Sequence, residues 1–564
     1  MSVERSSTSE FAQGRASRVV HYRSSRGKLW DHTWPMHPFV FAAAAVFTLM
    51  GNNLIFTGLE DVLPSLLVSL GIALAAYLVA VLVRRRFDAA AAVLATIWVA
   101  GILYYYSLFG GINRWVDGGF PMVRSLPIAL LILSAVTVVA YRLRRFAPRM
   151  NGALNIIAMV FLVVPLGKVA EFQWNNWGAL DSYAPAEALA QLEPYTTGAA
   201  SPDQPPDIYH FIFDRYASEE VLSQYFGVDN SDIGYFLEGQ GFYLARGSNS
   251  NYQKTGHSIA STFNMDYLRA LEEDPRVKGE NWRPIFKMLD DHRVGRFLKS
   301  RGYRHVQFGS WWAGTFSSRI ADENRPHGIS EFAMLFWRST MLRPIFHALP
   351  DTQLTMRLDW DNGQCQRLGP QLEEIKTIGE QTAEPLYVFA HMLLPHGPEN
   401  FTTTGECLSL EQAAKRGQAQ GYLDQIQYAN QIIRNVVTEL KRPGRRPAVI
   451  IIQADEGPFP NRDNRVPWQN ASADDLRIKT GILNAYYFPG KDYSGLWQDI
   501  TPVNTYRVLF NTYFGTRLPL LEDRIYAFPF DNNLYEFHEV TGKVRGPGPM
   551  ASTLHGSAAL DAHN

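Results

Sequence analysis

The chain has 564 residues, too many for one ordinary domain, and its 46% hydrophobic and 19% charged content excludes both disorder throughout and a protein made wholly of membrane helices. The formal charge of −1 conceals two opposed halves: up to Trp177 there are 16 Lys and Arg against 8 Asp and Glu, net +8, and beyond it 37 against 46, net −9. An acidic soluble half argues against nucleic acid as a partner, and two cysteines, Cys365 and Cys407, are too few for a four-thiolate zinc site.

From Pro38 to Ala170 the sequence is a succession of apolar runs, each close to the ~20 residues that carry a helix across a bilayer core. Five spans are expected, near 36–57, 63–83, 87–109, 123–141 and 152–171, the first interrupted by Gly51, Asn52 and Asn53. Lys and Arg are retained on the cytoplasmic side of such spans. Six of them precede the first span, Arg84, Arg85 and Arg86 follow the second, and Arg142, Arg144, Arg145 and Arg149 follow the fourth, whereas the other loops are acidic or weakly charged. The alternation places the N-terminus in the cytoplasm and everything after about Glu171 outside it; a buried core helix among the five would reverse this. A cleaved signal peptide does not fit, since the first apolar run is too long, begins late and lacks a small-residue cleavage site.

The expected division is a basic arm over 1–35, membrane helices over 36–171, a linker over 172–206 ending in Ser201-Pro-Asp-Gln-Pro-Pro206, a second domain over 207–540, and a Gly-, Pro- and Ser-rich disordered tail over 541–564. In the second domain, strands are expected at Ile208–Phe213, His305–Phe308, Leu386–Phe389, Val449–Ile452 and Ile482–Phe488, and Leu423, Ile426, Ile433, Val437 and Leu440 recur at helical spacing. Strands alternating with helices predict an α/β/α sandwich with a mostly parallel sheet. Such sheets bind ligands beyond the carboxyl ends of their strands.

The first strand stops at Asp214, and the fourth stops at Asp455-Glu456-Gly457. Carboxylates gathered at one sheet edge repel one another unless a cation separates them, and oxygen ligands suit Mg²⁺, Mn²⁺, Ca²⁺ or, less typically, Zn²⁺; a single acid there would instead cap a helix or meet water. Thr255, in Ser250-Asn-Tyr-Gln-Lys-Thr255-Gly-His-Ser258, falls at the start of a helical run, where it is either an ordinary N-cap or a hydroxyl held against a metal for nucleophilic attack; Ser258 competes with it. The third strand leads into His391 and His396. His391 is as well explained by a hydrogen-bonded core as by ligation, while His396, in a Pro-His-Gly loop, is a proton donor to a leaving oxygen or a contact for a transferred group. Trp311 and Trp312 form either a headgroup or sugar platform or part of a core.

Asp214, the Ser-Asn-Tyr-x-x-Thr255 context, the Leu-Leu-Pro-His396 loop and Asp455-Glu456-Gly457 together resemble the sulfatase-like branch of the alkaline phosphatase superfamily. With five preceding spans the chain is similar to membrane-bound members of the lipoteichoic acid synthase type. The resemblance implies that Asp214, Asp455 and Glu456 hold one divalent metal together with Thr255. It makes Thr255 the nucleophile of a covalent phospho-enzyme, and His396 a contact to the transferred group. It also implies a bacterial cytoplasmic membrane, with a lipid or lipid-linked donor and a cell-envelope glycan acceptor. Two departures bear on this. Glu456 stands where the family usually has His, which favours Mn²⁺ or Mg²⁺ over Zn²⁺ or Ca²⁺, or weakens the site. Thr255-Gly-His-Ser258 lacks the Cys-x-Pro-x-Arg pattern that formylglycine sulfatases need, which argues against sulfate-ester hydrolysis.

The expected function is therefore a metal-dependent phosphotransferase or phosphohydrolase of envelope phosphodiesters. The alternatives are a catalytically silent surface module and a tethered phosphodiesterase of soluble substrates. Cys365 and Cys407 flank the His396 loop 42 residues apart, and in an oxidising compartment they can form a disulfide worth roughly 3 to 4 kcal/mol on chain-entropy grounds.

Overall fold

A computed structural model describes residues 34–117, 123–179, 183, 190–350, 352–361 and 363–546. The expected basic arm over 1–35 lies outside the described residues up to position 33, and the expected tail lies outside them from position 547. The first part of that tail, Thr541–Arg545, is a short helix with Val544 buried.

Six helices occupy the region read as five spans: α1 (His37–Gly51), α2 (Leu63–Arg84), α3 (Ala89–Leu103), α4 (Tyr105–Asp117), α5 (Leu126–Arg142) and α6 (Ala147–Asn175). Among the described residues two are by themselves long and apolar enough to cross a membrane: the 22 residues of α2, and the 32 residues from Arg144 to Asn175 that include α6. α3 and α4 qualify only as a pair bent by 56°. Where five spans were expected, the described residues thus hold two candidate spans, or three if the bent pair counts as one, with α1 and α5 as shorter apolar helices. The 15 residues of α1 reach about 22 Å, short of a hydrocarbon core of ~30 Å. The helix ends there because Gly51-Asn52-Asn53 stops it, and the Asn53 amide donates back to the Leu49 carbonyl at 2.8 Å. The 17 residues of α5 reach only about 25 Å.

The second unit is built on a seven-stranded sheet: β1 (Asp207–Phe213), β2 (Tyr243–Leu244), β3 (Arg304–Phe308), β4 (Glu323–Asn324), β5 (Leu386–Met392), β6 (Ala448–Gln453) and β7 (Asn484–Tyr487), in the order β2-β7-β6-β1-β5-β3-β4. The central strands β1, β5 and β6 are buried at every position, as continuous apolar runs covered on both faces should be. Side chains alternate between the two layers: Tyr209, Phe211 and Phe213 enter one core with Ile426 and Ile433 of the helix Gln418–Leu440, and Ile208 and Ile212 enter the other with Ile259 and Phe263. β1 pairs in parallel with both β5 and β6, but β7 runs antiparallel to β6, so the sheet is mixed.

The two regions are in direct contact. The Trp282 backbone N–H donates to the Ile55 carbonyl at 3.2 Å, and the Phe56 and Trp282 rings stack at 6.2 Å. Phe332 and Phe336, from the helix Glu331–Ser339, are buried with Phe41 and Met50 of α1 and Leu103 of α3.

Candidate active site

Parallel β1 and β6 end side by side, which brings Asp214 and Asp455 together at one sheet edge. β5 delivers His391 between them and Thr315. Its Nε2 lies 3.4 Å from an Asp214 oxygen, and its Nδ1 is 2.7 Å from the Thr315 hydroxyl. Asp214, His391 and Asp455, all buried, each offer a ligand atom within 4.8 Å of the others. Burial comes first and mutual repulsion adds to it in pushing the Asp455 carboxyl up to about 8, and desolvation raises Asp214 as well.

Four buried atoms here lack a hydrogen-bond partner: Asp214 Oδ1, His391 Nε2, Asp455 Oδ2 and Glu456 Oε2. Such convergence is costly without a partner, and the donor set of three carboxylates and one imidazole fits a divalent cation. The other Glu456 oxygen, Oε1, is already engaged, by Lys479 Nζ at 2.8 Å and Arg215 Nε at 3.2 Å. Arg215 has a left-handed backbone, φ 64°, and this turn aims its N–H at Asp455 Oδ1, 3.2 Å away. Gly457 is required behind Glu456, because a Cβ there would sit 2.1 Å from the Ile478 carbonyl.

Thr255 opens the helix Thr255–Asn264 as its first helical residue, and Lys254 occupies the N-cap position. The Thr255 hydroxyl hydrogen-bonds the Asp455 carboxyl, which offsets a small part of the rise that burial imposes on it. Gly256 follows because a Cβ would meet the Trp282 and Ile285 side chains at 2.9 and 3.0 Å. Ser258, one turn deeper, is buried and does not line the cleft that Thr255 lines.

That cleft has a volume of about 500 Å³. Asp214, Glu456, Thr255 and His396 lie along it, Trp282, Trp311 and Trp312 wall it, and Ile55 and Phe56 from the loop between α1 and α2 close one side. The His396 ring is half-buried; its backbone N–H donates to the Asp214 carbonyl at 3.1 Å and its Nδ1 contacts the Gly397 carbonyl. A carbonyl only accepts, so Nδ1 carries the proton; desolvation, and then Arg215, hold the ring neutral, leaving a lone pair on Nε2. Cys365 and Cys407 are joined as a disulfide that ties the helix Gly363–Thr377 to the segment after β5.

The sequence-derived set Asp214, Thr255, His396, Asp455, Glu456, Trp311 and Trp312 is brought to one place, with His391 in the cluster with Asp214 and Asp455 rather than in the cleft wall. Lys479, Ile55 and Phe56 were missed. Lys479 precedes β7, and only the antiparallel direction of that strand brings it to this edge. A second acidic cluster, Asp359 and Asp361 with His347, is neutralised by protein cations: Arg338 Nε and Arg343 Nε bind the two oxygens of Asp361 at 2.8 and 2.5 Å.

Residues 239–504 match the sulfatase family. No curated protein matches the sequence. The C-terminal periplasmic domain of EcEptC from Escherichia coli, in complex with zinc, is similar over 60% of this chain and 94% of its own, at 9% identity and a TM-score of 0.39. The C-terminal periplasmic domain of phosphoethanolamine transferase EptC from Campylobacter jejuni is similar over 58% of this chain and 94% of its own, at 13% identity and a TM-score of 0.35.

Proposed function

We propose that the chain carries a sulfatase-like domain of the alkaline phosphatase superfamily and that it transfers or hydrolyses phosphodiesters of lipid-linked or cell-envelope substrates through a covalent intermediate on Thr255. The observation that carries this reading is the convergence of ligand atoms of Asp214, His391 and Asp455, all buried, beside the Thr255 hydroxyl.

Asp214, His391 and Asp455 would hold a divalent ion, with Glu456 Oε2 alongside. Once bound, such an ion lowers the pKa of a coordinated hydroxyl and offsets charge on phosphoryl oxygens; Mn²⁺ or Mg²⁺ suits the carboxylate-rich set. Thr255 Oγ attacks phosphorus, forming the Thr–O–P bond as the bond to the leaving headgroup oxygen breaks, and the threonine proton passes through Nε2 of His396 to that leaving oxygen. The first-turn N–H groups of the helix it opens favour the phosphoryl charge. In the second step Nε2 of His396 takes the proton of the incoming hydroxyl or water as that oxygen bonds phosphorus, and returns it to Thr255 Oγ as the Thr–O–P bond breaks, so the ring keeps the expected part of proton donor to a leaving oxygen.

The acceptor is read as an envelope glycan hydroxyl and the donor as a membrane lipid, with the N-terminus cytoplasmic, the helices multi-pass and the sulfatase-like domain outside. The wall made by Ile55 and Phe56 supports the lipid part of this reading, since it joins the cleft to the apolar helices.

One observation favours a catalytically silent module instead. Lys479, fully buried, already supplies a cation to Glu456. Intact-mass measurement of the full chain after incubation with membrane lipids tests the main reading. A phosphoryl adduct present in the parent and absent in Thr255→Ala supports it; an adduct that persists in Thr255→Ala refutes the assigned nucleophile. A protein that retains no divalent ion and is not stabilised by added Mn²⁺ supports the silent module.

A further inference from the structure

Between the helix Glu331–Ser339 and residue 358 the sulfatase-like domain exposes a row of aliphatic side chains that its own core does not use. Ile345, Leu349, Leu354 and Leu358 are 45, 49, 68 and 54% exposed. Leu354 and Leu358 stand at i and i+4 in the helix Gln353–Leu358, which puts them on one side of it, while Ile345 lies in the helix Leu342–His347 and Leu349 just beyond its end. Just upstream the same segment is anchored among the membrane helices. Phe332 and Phe336 are buried against α1 and α3, Met341 packs with Tyr105, Phe109 and Leu126, and the Met341 N–H donates to the Ile102 carbonyl at 2.8 Å. α4, which leaves the direction of α3 by 56°, also exposes apolar and aromatic side chains there: Tyr106, Leu108 and Trp115 at 55, 56 and 91%.

We propose that residues 331–350 and 352–358, together with α4, form a ledge immersed in the headgroup layer of the outer leaflet, with Ile345, Leu349, Leu354 and Leu358 as its lipid-facing side chains. The occupant is a bilayer because the ledge is continuous with helices whose exposed faces only hydrocarbon can cover, such as Leu82 on α2 and Leu131 on α5, 74 and 72% exposed. Arg357, between two of the exposed leucines, is placed to meet lipid phosphate, and Arg338 and Arg343 stay tied to Asp361 inside the fold. The inner side of the same ledge, Met334, Leu335 and Arg338, lines the cleft that contains Thr255. A ledge at headgroup depth therefore sets the cleft mouth at headgroup depth as well. This placement does not depend on which reaction the cleft performs.

Spin labels on single cysteines test it. Leu349→Cys, Leu354→Cys and, as a control, Tyr235→Cys on the helix Ser231–Gly239 are introduced into the full chain, whose native cysteines are joined to each other. Each protein is placed in nanodiscs of phosphatidylethanolamine and phosphatidylglycerol, and variants are kept only if they melt with the parent. Collision rates with oxygen and with a water-soluble nickel chelate are then measured by power saturation. The expected result is an oxygen-to-nickel ratio several-fold higher at 349 and 354 than at 235. A water-like ratio at 349 and 354, equal ratios at all three positions, or dipolar broadening that reveals a second copy on the ledge would each overturn the proposal.

Discussion

Removing the divalent ion should leave a fold that alkaline pH undermines. Asp455 is held up to about 8 from an ordinary 3.8, chiefly by burial and then by the neighbouring Asp214 and Glu456. A carboxyl raised in the folded state contributes stability fully below about pH 4, and that contribution is withdrawn as pH rises through about 8. At about 1.4 kcal/mol per unit, the loss between pH 5 and pH 8 is on the order of 4 kcal/mol for Asp455 alone, and Asp214 moves in the same sense. For a domain of this size that corresponds to a fall in melting midpoint of about 5 to 10 °C. The assay is differential scanning fluorimetry of detergent-solubilised full chain at pH 5 and pH 8, with chelator or with Mn²⁺. The chelated protein should melt lower at pH 8 than at pH 5, the loaded protein should show little of that slope, and Asp455→Asn should flatten it in the chelated state. Chelated protein that is equally stable at both pH values, relative to loaded protein, would refute the claim that these carboxylates repel across a cation site.

Thr255→Ala should reduce phosphodiester turnover by about 10³-fold or more at unchanged melting midpoint, and Thr255→Ser should restore a measurable fraction, checked by steady-state assay. Lys479→Met leaves the buried Glu456 with Arg215 alone and should cost about 3 kcal/mol by denaturant titration; Lys479→Met with Glu456→Gln should cost less than the sum of the two single changes. Phe56→Ala removes a stacked ring from the cleft wall and should raise KM for a lipid-linked substrate more than for a water-soluble one, because the missing wall belongs to the membrane side. Reduction of the Cys365–Cys407 bond, or Cys365→Ala, should lower stability by about 4 kcal/mol and abolish the mobility difference between reduced and unreduced samples on a gel.

Much of the catalytic geometry was legible because it obeys a local rule. β1, β5 and β6 are unbroken apolar runs, and a buried parallel strand must end in polar residues where it leaves the core; Asp214 and Asp455 are those residues. Thr255 was legible as a helix start, although the cap itself is Lys254. Lys479 escaped because attention to the residues that follow each strand assumes parallel strands, and β7 runs the other way. His391 could not be assigned from sequence, since its role depends on a 3.4 Å approach to Asp214 from a different strand. The number of spans was less legible for a related reason. Hydropathy counts apolar residues, but it does not register that α3 and α4 change direction near Tyr104, or that α1 stops at Gly51, short of the expected end at 57. Ile55 and Phe56 lie about 200 residues from the threonine they face, and nothing in their own neighbourhood announces the contact.

The hydrogen bond from Trp282 to Ile55 and the ring of Phe56 laid over that tryptophan mean that the cleft is not a possession of the sulfatase-like half alone. An excised C-terminal fragment would keep the acids, the threonine and the disulfide, yet its pocket would stand open along one flank and Trp282 would be bared to water. If the proposed reaction holds, such a fragment would report only on small esters at the carboxylate nest, and any preference among bulky donors would have been cut away with the first 171 residues.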